Sequence, residues 1–127
     1  MANNLYKLSL FYNDQKYRNK ASQMLANVAD NVLQNPTYFY NWGKLMLDFI
    51  REPYEVAILG NNYSAIRTAL DKQYLPHVLL MGGLKEGTLD LLQHKLVKGR
   101  TTVYVCQQKA CQRPVESALE ALKQLNK

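Results

Sequence analysis

The hydrophobic pattern of this 127-residue chain changes period at Pro53, and no single regular architecture satisfies both sides of that point. Upstream, apolar residues recur every three or four positions, as on one face of a helix. Downstream they gather in short runs bounded by Gly, Asn and Pro, the habit of buried strands. The chain therefore reads as two segments, 1–52 and 53–127. A length of this order buries roughly two thirds of the unfolded chain's surface, enough for a core that needs no staples.

In the first segment Leu5, Leu8, Phe11 and Tyr12 predict a helix ended by the turn-forming pair Asn13-Asp14. Tyr17, Ala21, Met24, Val28 and Val32 predict one longer helix, stopped by Asn35-Pro36. A third helix carries Tyr38, Phe39, Trp42, Leu45, Met46, Phe49 and Ile50, which spread over more than one stripe. Gly43 inside it costs about 1 kcal/mol relative to alanine and implies close packing.

In the second segment Glu55–Leu59, Val78–Met81 and Thr101–Cys106 predict three strands. Helices are predicted over Ser64–Tyr74 and Thr88–Leu96. A last helix opens at the capping box formed by Ser117 and Glu120, with Leu119, Leu122 and Leu125 behind it. Strands alternating with helices predict parallel pairing. The expected fold class is α/β: N-terminal helices followed by a small three-stranded parallel β-α-β-α-β-α unit.

No apolar run approaches the ~20 residues of a membrane helix, and the opening Met1–Leu10 stretch lacks the pattern of an export signal. With two cysteines in the whole chain, the expected location is the cytoplasm, and disulfides are not expected to hold the fold. Sixteen basic residues against ten acidic ones give a net charge of +6, which favours acidic partners. The charge is spread along the chain; its densest stretches, Lys16–Lys20 and Lys95–Arg100, hold three basic residues each. A nucleic-acid-binding module therefore rests on charge alone, and a solvated face is the commoner meaning of such a pattern.

Two places could carry chemistry. Cys106 and Cys111 flank the end of the third predicted strand, where parallel α/β sheets present ligands. Their spacing is Cys-x-x-x-x-Cys rather than the Cys-x-x-Cys of redox centres, so two structural thiols compete with a redox pair. Their Cα atoms are expected within the ~4.4–6.8 Å reach of a disulfide, yet the pair is expected as free thiols, in a fold that survives reducing conditions. Gly60-Asn61-Asn62, before a predicted helix, could cradle an anion. It lacks both the Gly-x-Gly-x-x-Gly pattern and a P-loop lysine, and strand-to-helix turns use the same residues. Gly82-Gly83 is read in the same way. His77 and His94 are too few for a metal centre with the cysteines, so neither metal nor cofactor is expected. Asp14, Asp30, Asp48, Glu52 and Glu55 scatter over helix ends and turns, and no paired carboxylates or Ser-His-Asp order emerges.

The stretch Val97-Lys98-Gly99-Arg100-Thr101-Thr102-Val103-Tyr104-Val105-Cys106, continuing through Cys111-Gln112-Arg113-Pro114-Val115, resembles a C-terminal motif of the YyaL-like thioredoxin-domain-containing family. That family includes the spermatogenesis-associated proteins of animals. Pro53-x-Glu55-Val56-Ala57-Ile58-x-Gly60 and Tyr74-Leu75-Pro76-x-Val78-Leu79-Leu80 resemble its preceding blocks, in the same order and spacing, and residues 5–50 resemble the helices before them. The resemblance implies a longer protein, with a thioredoxin-like domain, a six-hairpin (α/α)6 barrel like those of sugar epimerases and glycosidases, and an α/β tail. Residues 1–52 would be the last barrel helices, 53–127 the tail, and Met1 not the natural start. The implied role is a non-catalytic C-terminal part packing on its own barrel and thioredoxin-like domain. The alternative is part of a sugar-binding or sugar-modifying enzyme whose cleft the tail lines. Cut from its neighbours, the Tyr38–Ile50 helix should leave an exposed apolar face, open to self-association.

Overall fold

A computed structural model describes residues 1–126 and divides the chain into two compact units, Met1–Glu52 and Pro53 onward. The first is all helical: α1 (Ala2–Tyr12), α2 (Gln15–Ala26), α3 (Ala29–Gln34) and α4 (Tyr40–Ile50). Asn13 ends α1 in the left-handed region, φ 51°, a conformation asparagine tolerates, and returns its amide to Ser9. Asp14 then caps α2 by accepting from the Lys16 amide at 2.7 Å. This two-residue link folds α2 back along α1.

The core of the first unit gathers Ala2, Tyr6, Ala21, Leu25 and Leu45, with Leu5, Leu10, Met24, Trp42, Met46 and Phe49 around it. The buried stripe of α1 is thus Ala2, Tyr6 and Ser9, while Leu8 and Tyr12 are exposed. Tyr6 accounts for the rotation. Its hydroxyl donates to the Asp48 carbonyl at 2.6 Å, and its ring meets Phe49, centroids 4.6 Å apart. The Arg18 guanidinium lies 5.5 Å from both ring centroids and pairs with Glu52. Burial, the largest cause, pushes the Tyr6 hydroxyl up to about 12, with Arg18 opposing. The folded state therefore holds this proton longer than the unfolded chain. The associated stability is complete below the ordinary tyrosine range and is lost as pH rises from there toward 12.

The long second helix predicted from the sequence is broken between α2 and α3. Asn27 and Val28 are poor helix formers, and the Val28 amide turns back to the Leu25 carbonyl at 3.1 Å instead of continuing the ladder.

The second unit contains β1 (Tyr54–Leu59), α5 (Tyr63–Asp71), β2 (Val78–Gly83), β3 (Thr102–Gln107), β4 (Ala110–Cys111) and α6 (Ala118–Leu125). One four-stranded sheet has the order β2-β1-β3-β4. The mixed helix-and-strand class holds, but the all-parallel arrangement does not. β2 runs parallel to β1, from Tyr54 opposite Val78 to Leu59 opposite Gly83. β3 runs antiparallel to β1, from Glu55 opposite Cys106 to Leu59 opposite Thr102. The predicted helix at Thr88–Leu96 is a single 3-10 turn, Asp90–Leu92. Without a crossover helix between β2 and β3, nothing returns the chain to begin a third parallel strand.

Val56 and Ile58 of β1, with Val103 and Val105 of β3, point to one face, where α5 (Ile66, Leu70) and α6 (Ala121, Leu125) bury it. Ala57 and Leu59 alternate to the other face and are equally buried. The predicted Ser117 cap forms, its Oγ accepting from the Glu120 amide at 3.3 Å, while Glu120 Oε2 reaches one residue further back and accepts from the Glu116 amide at 3.4 Å. Among the described residues no helix is long and apolar enough to cross a membrane.

Two substitutions separate the observed core from the apparent one. Ile58→Ala, at a fully buried position of the central strand, should cost about 2–5 kcal/mol in denaturant unfolding. Leu119→Ala, in the predicted apolar stripe of α6 but exposed, should stay within about 0.5 kcal/mol of the parent.

Candidate functional site

The two candidate sites lie at opposite ends of β1. Gly60 follows its last residue, whereas Cys106 sits opposite Glu55 near its first. The direction of β3 is responsible: an antiparallel strand carries its C-terminal end away from the carboxyl edge of β1 and β2. Cys106 is therefore not on the ligand-presenting edge expected from a parallel sheet.

At that carboxyl edge, Gly60 adopts φ +126° and passes so close to the chain entering β3 that an added Cβ would fall 2.5 Å from the Arg100 carbonyl oxygen. Its amide donates to the Gly83 carbonyl at 3.1 Å and its carbonyl accepts from the Tyr63 amide at 3.2 Å. The Asn62 amide donates to Thr101 Oγ1 at 3.0 Å. Three of the amides that would have cradled an anion are thus directed into the protein, and the glycine serves a close backbone approach. Gly82 has a related role, since a Cβ there would meet the Ile58 carbonyl oxygen at 2.4 Å.

The same edge holds a cavity of about 220 Å³, lined by Gly60, Asn61, Leu84 and the Leu96–Thr101 segment. Its cationic wall is Lys98 and Arg100, the latter paired with Glu116 at 3.2 Å. The basic stretch Lys95–Arg100 stands out in the sequence, but the loop that folds it into a wall does not, because residues 88–96 read as a helix. Glu86 instead organises the segment: its Oε1 accepts from the Lys95 amide at 2.9 Å and the Leu96 amide at 2.8 Å. His94, at φ 59°, supplies the reversal. The Leu96 amide, followed by the His94 amide, holds the Glu86 carboxyl below the usual carboxylate range. The two flanking glycines, Gly87 and Gly99, both at positive φ, were the available sequence signal that this stretch is a loop.

At the other end of β1, Cys106 and Cys111 face one another across β3 and β4 and are joined in a disulfide, with Cα atoms 3.9 Å apart. This corrects the expectation of two free thiols, and the separation is shorter than the window expected. The two-residue strand β4 is the physical reason, because it sets the cysteines directly opposite instead of on a loose loop. His77 lies just before β2 and His94 lies on the far loop. Among the described residues no group of three or more His, Cys, Asp or Glu side chains could hold a metal ion.

No family model matches this chain, and neither curated proteins nor solved structures contain a match to it.

Because the folded Glu86 carboxyl titrates below its unfolded value, its contribution is present above the unfolded carboxylate range and is lost as pH falls through the folded pKa. Hydrogen exchange should show the Lys95 and Leu96 amides protected at neutral pH and released in acid. Glu86→Ala should expose the same two amides already at neutral pH.

Proposed function

We propose that the chain is a non-catalytic C-terminal module of a longer thioredoxin-domain-containing protein, docking on the helical barrel of its own polypeptide. The observation that supports this is the outward stripe of α4. Tyr40, Leu47 and Ile50 fall on one side of the helix at its 3.6-residue period and are 66%, 61% and 75% exposed. Leu33 of α3 and Tyr38 are exposed as well. Single exposed apolar residues are ordinary, but a stripe of large ones on a helix marks a surface made for contact.

The rest of the reading draws on the sequence motifs between Pro53 and Val115, whose order and spacing resemble the C-terminal part of that family. The proposal includes a cytoplasmic location, where a disulfide such as Cys106–Cys111 is typically transient rather than structural. It leaves out nucleic acid, because the basic residues are dispersed rather than aligned along one element.

Separated from its barrel, a chain with this stripe should self-associate with increasing concentration and bind an apolar dye. The double variant Leu47→Glu/Ile50→Lys should abolish both while shifting unfolding stability by no more than about 0.5 kcal/mol per site. Sedimentation velocity and dye fluorescence read the result. A parent chain that stays monomeric and dark across the concentration range defeats the proposal.

A further inference from the structure

We infer that the Cys106–Cys111 bridge is a thiol-exchange site, attacked at Cys111 and opened by the backbone it closes. This inference is independent of the docking proposal. Three observations converge on it.

The first is asymmetry of exposure. Cys106 lies in β3 and is 1% exposed, whereas Cys111 lies on the outer strand β4 and is exposed. A nucleophile from solvent therefore meets Cys111. Exposed disulfides are the labile ones, and buried ones resist reduction.

The second is the turn. Gln107 pairs with Ala110, leaving Gln108 and Lys109 as a two-residue hairpin loop. Both have positive φ, 51° and 66°, as the mirror-image turn of such hairpins requires. That turn favours Asn-Gly, because most side chains are disfavoured in the left-handed region. Gln-Lys is a poor choice for it, so the closed hairpin is held against a local backbone preference. The preference is relieved when the bridge opens.

The third is containment. The Gln112 amide donates to the Val105 carbonyl at 2.8 Å, and Val103 and Val115 exchange hydrogen bonds at 2.7 and 3.0 Å. Gln124 Nε2 on α6 donates to the Arg113 carbonyl at 2.8 Å. The chain is pinned immediately beyond Cys111, so opening is confined to residues 107–111.

The reaction balances with an ordinary thiol as reductant. A thiolate attacks Cys111 Sγ; the Cys106–Cys111 bond breaks, and its electron pair passes to Cys106 Sγ, which takes a proton. A second thiolate attacks the external sulfur of the mixed disulfide. Cys111 leaves as thiolate and is protonated, and the reductant departs as its own disulfide. Reduced Cys106 then rests as a small apolar group in the core. Lys109 and Arg113 flank Cys111 and favour an anionic thiol such as glutathione.

The experiment equilibrates the intact chain in reduced and oxidised glutathione, traps it with iodoacetamide, and maps the label by mass spectrometry. Amide spectra are recorded in parallel. The expected result is a species with glutathione on Cys111 and the label on Cys106, labelling of Cys111 about tenfold faster than Cys106 in the fully reduced chain, and amide shifts limited to the hairpin. A second variant tests the turn. Gln108→Asn/Lys109→Gly removes the disfavoured conformation, so the bridge should need about fivefold or more extra reducing power to open. Four outcomes overturn the inference: a bridge that persists in a large excess of reduced glutathione; glutathione found on Cys106 rather than Cys111; global unfolding on reduction; or a turn variant that opens as easily as the parent.

Discussion

β1 has a neighbour on each hydrogen-bonding edge and a covered surface on each face, and the second unit is arranged around that enclosure. Val56 through Leu59 are completely buried, so their backbone groups have no water to turn to and must find partners in adjacent strands. On one edge the short connection through α5 supplies β2, in parallel register. On the other edge β3 supplies an antiparallel ladder. Placing Val56 and Ile58 under α5 and α6 fixes which residues of β2 and β3 must be apolar, because facing positions share a side of the sheet. The positions of the cavity and of the cysteine bridge both follow from where β1 begins and ends.

The boundary at Pro53, the helical character before it and the identity of the three main strands were legible in the sequence, because periodicity and composition act locally. The direction of β3 was not. Thr-Val-Tyr-Val-Cys has the same composition whichever way it runs, and only the connection length constrains it. That connection was misread because Thr88–Leu96 looks like a short helix. The competing preference came from Glu86, whose carboxylate takes the amides of Lys95 and Leu96, and from the left-handed His94. A side chain nine residues upstream decides the local backbone there, and no periodic pattern records such a bond. The stripe of α1 shows the same limit. Leu8 looks like core, but Tyr6 has a hydroxyl acceptor and two aromatic-side partners, and it wins the inward position.

Of the candidate site, the sequence singled out the Gly60-Asn61-Asn62 turn and the two cysteines but could not say what their backbones were doing. Gly60 is required, though by a strand passing at van der Waals contact rather than by a ligand. The cysteines sit opposite one another because β4 exists, and a two-residue strand leaves almost no compositional trace. Gln108 and Lys109 carry no turn signal, and their backbone conformation follows from the pairing on either side of them.

The sheet's two margins are unlike each other. β4 offers only two residues beside a covalent bridge, while β2 offers six, Val78 to Gly83, with neither a charge nor a proline among them. Charges and prolines are how outer strands ordinarily repel a stranger's backbone. A molecule receptive along one margin and blunted along the other cannot propagate a ribbon. If two such sheets meet, each margin consumes the other's valence, and growth stops at the pair, in the closed twofold arrangement typical of soluble assemblies.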